Sequence, residues 1–223
     1  MSWGIYLDSI FKADKIKAHR ETLLKRSEET PYTVFLCGPT IQKLELEEKR
    51  QVTNTDRIIR FFNRSKHSSQ AILRKRIKDE LEAKGFDVVL GEDDGLENAR
   101  IKVGLNAQDN ELEFIMKHCD AVIIVAGSVG SFCELGLFSW HYTNPSGSLK
   151  NTEPEKDFIL LIDQRYKKDI SYFNEGPAKV VRHFGETIYI DFKKFDVTEL
   201  VDRLQSRKSL VGKDGRGRPR KQS

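Results

Sequence analysis

No stretch of this chain approaches the ~20 consecutive apolar residues that a membrane-spanning helix needs. Cysteine is scarce: Cys37, Cys119 and Cys133 cannot all pair, and none stands in Cys-x-x-Cys spacing. That excludes a disulfide framework and gives no support for a zinc site or a redox pair. The five histidines are scattered, and His118 and His183 have no partner at metal-ligand spacing, so no metal is expected. Two nucleotide signatures are also missing. There is no Gly-x4-Gly-Lys-Ser/Thr, and no Gly-x-Gly-x-x-Gly follows the first apolar run. Met1–Ile10 is too short and too interrupted by charge to read as a signal peptide. These absences point to a cytoplasmic protein with reduced thiols and no membrane partner.

What is present bounds the architecture. At 223 residues the chain suits one domain with modest extensions, long enough to bury a core unaided. Its 38% apolar and 32% charged content fits a compact centre carrying solvated helices or tails. Net charge is only +4, but it is unevenly spread. From Ser206 onward Arg207, Lys208, Lys213, Arg216, Arg218, Arg220 and Lys221 face the single acid Asp214. Such an end suits either a solubilising tail or a nucleic-acid contact.

Hydrophobic periodicity predicts alternating strands and helices. Residues 1–30 read as helix, with Ile5, Ile10, Phe11, Ile16 and Leu23 at helical spacing, closed by Pro31. Thr33–Cys37 is apolar on both faces and ends at Gly38-Pro39, as an interior parallel strand does. Residues 41–66 are charged and read as an insertion or extended loop. Ser68 or Ser69 can cap a helix over 70–84, and Gly85 stops it. Further strands are expected over 86–90, 121–126, 158–162 and 187–190, with helices over 109–118, 131–142, 177–184 and 197–210. The alternation implies a doubly wound α/β fold with a mainly parallel five-stranded sheet and an N-terminal helical extension.

In open α/β sheets ligands lie beyond the carboxyl ends of the strands. Three segments fall there: Gly38-Pro39-Thr40, the acidic loop Glu92-Asp93-Asp94, and Ser128 to Glu134. At the third, Gly127 and Gly130 permit a tight turn, and the following helix offers free amides to an anion. Glu134 then stands about one turn into that helix. A plainer account competes, because Ser131-x-x-Glu134 also matches a capping box whose side chains only satisfy backbone amides. Phe138 and Trp140, on the same helix, are expected in the core.

Taken together, the strand ending in Gly38-Pro39, the Cys119-Asp120-Ala121-Val122-Ile123-Ile124-Val125 strand and the Gly130-Ser131-Phe132-Cys133-Glu134-Leu135-Gly136 run resemble the nucleoside 2-deoxyribosyltransferase-like superfamily. The likeness is closer to the deoxyribosyltransferase-like effectors of bacterial retron anti-phage systems. It extends to Phe35-Leu36-Cys37-Gly38, to Gly130 through Ser139, and to Phe173-x-x-Gly176-Pro177, within about residues 33–192. The resemblance implies Glu134 as the catalytic carboxylate, and cleavage of the N-glycosidic bond of NAD or a related nucleotide by a toxic effector. NAD or the nucleotide would be substrate, and no separate cofactor is implied. Gly38, Pro39, Thr40, Asp93, Asp109, Gly130, Ser131 and Asn174 are the candidate substrate-binding residues, with Asp94 a further acid in the loop. Deoxyribosyltransferases usually carry Asp where this chain has Val129, which weighs against base exchange and toward a larger nucleotide. A homo-oligomer is implied, as is a reverse transcriptase with its RNA/DNA hybrid product as partner.

On this reading residues 1–30 form the extension, 31–205 the nucleotide-binding domain and 206–223 the basic tail. In that tail Arg216-Gly217-Arg218-Pro219 resembles an AT-hook, whose two arginines, here Arg216 and Arg218, enter the A·T minor groove. Three other readings stay open: a nucleotide sensor that binds without cleaving, a nucleoside deoxyribosyltransferase, and a DNA-associated protein acting through its tail.

Overall fold

The computed structural model describes residues 31–50, 68–92, 107–143 and 156–211. The expected helix over 1–30, the acidic Asp93 and Asp94, and the tail arginines Arg216 and Arg218 lie outside the described residues.

One compact unit runs from Tyr32 to Val197. It contains β1 (Thr33–Cys37), α1 (Gln42–Arg50), α2 (Ser69–Ala83), β2 (Asp87–Leu90), α3 (Ala107–His118), β3 (Ala121–Val125), α4 (Val129–Thr143), β4 (Asp157–Asp163), α5 (Tyr172–Glu175), α6 (Pro177–Val181) and β5 (Glu186–Ile190). The strands form a single sheet in the order β2-β1-β3-β4-β5, with every neighbouring pair parallel. The chain leaves β1 toward one edge and resumes at β3 on the other side. This places a topological switch point between the carboxyl ends of β1 and β3. A last helix, α7 (Val197–Val211), falls almost wholly in a separate unit and buries Leu200, Val201 and Leu204 at helical spacing.

The strands are continuous apolar runs because both faces of the sheet are covered. Period two assigns the faces. Phe35, Cys37, Val122, Ile124, Phe158, Leu160 and Ile162 pack with Leu112 and Ile115 of α3 and with Leu135, Phe138 and Tyr142 of α4. The alternate residues Val34, Leu36, Ile123 and Leu161 are equally buried. An aromatic stack anchors α4: the Tyr142 and Phe184 ring centroids lie 3.9 Å apart with their planes nearly parallel, and Phe158 is edge-on to both.

Three local expectations are corrected. Residues 42–50 form a helix where a loop was expected; Ile41 and Leu44 are its buried contacts, so its apolar signal was too sparse to read. α4 begins at Val129, two residues before the expected start. α6 ends at Val181, which leaves His183 in a turn. Elsewhere the expected elements stand within a residue or two, and Ser68 is the residue that caps α2, accepting from the Ala71 amide.

Candidate functional site

The early start of α4 decides how Glu134 is to be understood. Ser128 is the N-cap, and its Oγ accepts from the Ser131 amide at 3.2 Å. The Ser131 hydroxyl reaches back, accepting from the Ser128 amide at 3.0 Å and the Gly127 amide at 3.1 Å, and donates to the Ser128 carbonyl at 2.8 Å. This is a reciprocal capping box one turn earlier than Ser131-x-x-Glu134. Glu134 is therefore not a cap. Among the described residues its buried Oε2 has no hydrogen-bond partner.

A buried carboxylate oxygen without a partner is costly and asks for an explanation. Its surroundings come from four elements. Cys37, at the end of β1, directs its thiol to the Glu134 carboxylate. Glu111 comes from α3, Arg74 from α2 and Glu92 from just beyond β2. Burial, and then the negative charge of Glu111, push Glu134 up to about 7, while Arg74 and the Cys37 hydrogen bond pull the other way. Burial and the Glu134 charge hold the Cys37 thiol well above its ordinary range, so it is a neutral donor. Glu111 is admitted by Gly91, where a Cβ would stand 2.8 Å from its Oε1.

Arg74 is fully buried, and its fork is saturated. Nε and Nη2 donate to the Leu36 carbonyl, and Nη1 donates to the Pro39 carbonyl. Nη1 and Nη2 also hold both oxygens of Glu92, at 2.7 and 2.8 Å. Burial works against the charge of Glu92, yet the Arg74 bonds outweigh it and keep the carboxyl below its usual range.

The expected site residues divide between this cluster and other places. Gly38 belongs to it: its φ of 149° suits glycine, and an added Cβ would meet Arg74 and Val125 at 3.0–3.2 Å. Pro39 contributes the carbonyl bound by Arg74. Gly130 lies in the first turn of α4, where an added Cβ would meet only Ser128, at 3.9 Å. Thr40 is exposed, and its hydroxyl accepts from the Gln42 amide at 3.4 Å. Asp109 is exposed and acts electrostatically on His141. Ser131 and Asn174 were expected to meet substrate, but their polar atoms are taken. Ser131 completes the cap, and the buried Asn174 donates to the Tyr166 and Asp169 carbonyls and accepts from the Tyr189 hydroxyl.

Sequence reading missed Arg74, Glu111 and the role of Cys37. A signal existed for two of them. Arg74 interrupts the Ala71, Ile77, Leu81 stripe of α2, and Glu111 heads the Ile115, Cys119 stripe of α3. Charged residues on an apolar stripe are rarely buried without a partner. Trp140, expected in the core, is instead 51% exposed. It lines a groove of about 730 Å³ on the far side of α4, with Phe132, Gly136, Tyr172, Phe173 and Val180.

Among the described residues no group of three His, Cys, Asp or Glu is placed to hold a metal ion, and no helix is long and apolar enough to cross a membrane. Compared with known proteins, residues 66–222 match the family model described as STM3845 retron effector protein. No curated protein and no solved structure matches. The matched span covers well over half of the chain and includes Glu134, Arg74 and Glu111. The chain belongs to the STM3845 retron effector family.

Proposed function

We propose that this retron effector is a nucleotide N-glycosidase, that it acts on NAD or a related nucleotide, and that Glu134 is its catalytic carboxylate. As a member of its family it acts in anti-phage defence, and the cleavage would be its toxic step. The observation that carries the reading is the buried Oε2 of Glu134, unpartnered among the described residues at the switch point between β1 and β3.

The chemistry follows from charge. When the C1′–N bond breaks, its electron pair leaves with the base and positive charge develops on the sugar carbon. A carboxylate beneath that carbon either bonds to it or stabilises it until water attacks. Water's oxygen then bonds to C1′, and its proton passes to a carboxylate or to solvent. Free Glu134, with a pKa of about 7, is divided between acid and anion near neutrality. A cationic sugar carbon favours the anion, so the group's charge is strengthened as the barrier is approached. Cys37 would steady one carboxylate oxygen while the unpartnered one faces substrate. Val129, 82% exposed where deoxyribosyltransferases usually carry an acid, favours water over a second base as acceptor.

Its further requirements also belong to this proposal: a retron reverse transcriptase with its RNA/DNA hybrid as partner, a homo-oligomer, and DNA contact through Arg216 and Arg218. The test is incubation of the purified protein, alone and with its reverse transcriptase, with NAD and with nucleotides, following free base by chromatography. Base release supports the reading; none from either preparation overturns it.

One observation favours a second reading. Burial and Glu111 push Glu134 toward its neutral form, in which it would donate a hydrogen bond to a ligand rather than attack it. That suits a nucleotide sensor. Tight calorimetric binding of a nucleotide recovered intact after hours would select it.

A further inference from the structure

Arg74 is fully buried against the half-buried Glu92, in a way that stability alone does not require. Arginine has five N–H donors, and all five of Arg74 are used at once, three on backbone carbonyls and two on Glu92. Replacing a buried ion pair by apolar residues is often neutral for stability. What the pair adds is position. The two carbonyls it binds, Leu36 and Pro39, bracket Cys37 and Gly38, and Cys37 is the residue whose thiol meets Glu134. The Arg74 stem also occupies the space beside Gly38, 3.0 Å from where a Cβ would stand.

We propose that Arg74, oriented by Glu92, is the positioning residue of the Glu134 site, locking the Leu36–Pro39 turn under Cys37 and supplying the site's positive charge. This rests on the reading of Glu134 as the catalytic carboxylate, but its test does not need turnover. Four groups face Glu134: Cys37 from β1, Arg74 from α2, Glu92 from beyond β2 and Glu111 from α3. Arg74 is the cation among them. Removing Arg74 and removing Glu92 should therefore act with opposite sign, which loss of packing would not produce.

The experiment is a carbon-detected NMR titration of the Glu134 carboxyl in full-length protein carrying ¹³C-glutamate, assigned with Glu134→Gln. Arg74→Met should raise the Glu134 midpoint by about one pH unit or more, as loss of a neighbouring opposite charge does. Glu92→Gln leaves the cation without its counter-charge and should lower the midpoint. Arg74→Lys keeps the charge but not the fork, and should raise the midpoint by less than Arg74→Met does, through the loosened Cys37 hydrogen bond. If Arg74→Met does not fold, Glu92→Gln and Arg74→Lys still decide the matter. Midpoints that stay put, or that move in the same direction in Arg74→Met and Glu92→Gln, overturn the proposal. Base release measured on the same variants separates the two ideas. A titration that behaves as stated in a protein that releases no base would leave Arg74 as positioner and remove glycosidase activity.

Discussion

α4 divides the carboxyl edge of the sheet into two regions of opposite character. Phe132, Gly136, Trp140 and Thr143 recur at helical spacing along the groove side. Glu134, two residues from Phe132, is turned ~200° away at 100° per residue. On the groove side the polar atoms are committed: Ser139 donates to the Pro177 carbonyl and Thr143 to the Ser139 carbonyl. On the other side a buried carboxylate oxygen has no partner among the described residues, and two further acids and an arginine surround it. One side is satisfied and apolar; the other stores unfavourable electrostatics. A buried carboxylate oxygen left open is what the proposed stabilisation of developing cationic charge would use.

The contrast can be broken outright at the residue both sides share. Phe138, fully buried, holds α4 to the sheet edge-on to Phe158. Phe138→Ala should cost about 3–5 kcal/mol, read by denaturant unfolding, and should impair both sides together. A cost below ~1 kcal/mol would mean that α4 is held elsewhere.

Stability against pH sharpens it. Glu134 is raised from 4.5 to about 7 in the folded protein, so the native state binds its proton more tightly than the unfolded chain. The stability this lends is full below pH 4.5 and is lost as pH rises through about 7. Over that window the wild type should lose roughly 3 kcal/mol relative to Glu134→Gln, at 1.36 kcal/mol per unit. Melting temperatures at about pH 5 and about pH 8 test the sign. Glu134→Gln should be the more stable protein at the higher pH, and parallel curves would deny that Glu134 carries the strain.

Ser131 separates the cap from the site. Ser131→Ala should lower stability by about 1 kcal/mol and leave KM unchanged for any substrate turned over. A raised KM with intact stability would restore Ser131 as a ligand-binding residue. The smallest effect is expected on the groove side, where Trp140→Ala should change stability by no more than about 0.5 kcal/mol and leave the Glu134 titration unmoved.

The sheet was legible because its strands are short apolar runs punctuated by glycine and proline, and the β-branched Ala121–Val125 run forms the central strand. The turn that leads into the helix bearing Glu134 was legible as well. Its meaning was not, since Ser131-x-x-Glu134 matched a capping box, and only the backbone moved the cap back to Ser128. Asn174 was a candidate for substrate, but its amide closes the turn after β4 and its carbonyl takes the Tyr189 hydroxyl of β5, a contact that no local pattern reports. Asp109 drew attention for its charge and position, while the acid that reaches Glu134 is Glu111, 200° further round the same helix at ~100° per residue. Arg74 stands in a run of cations, Arg74-Lys75-Arg76, that gives no sign of which one is buried. Phase along the helix, rather than charge, identified both.

The most direct test of the account is base release from NAD by wild type, Glu134→Gln and Phe132→Ala in parallel, with folding checked for each. The account predicts that Glu134→Gln loses activity about a hundredfold or more while Phe132→Ala stays within a few-fold of wild type. Equal rates for wild type and Glu134→Gln would contradict it.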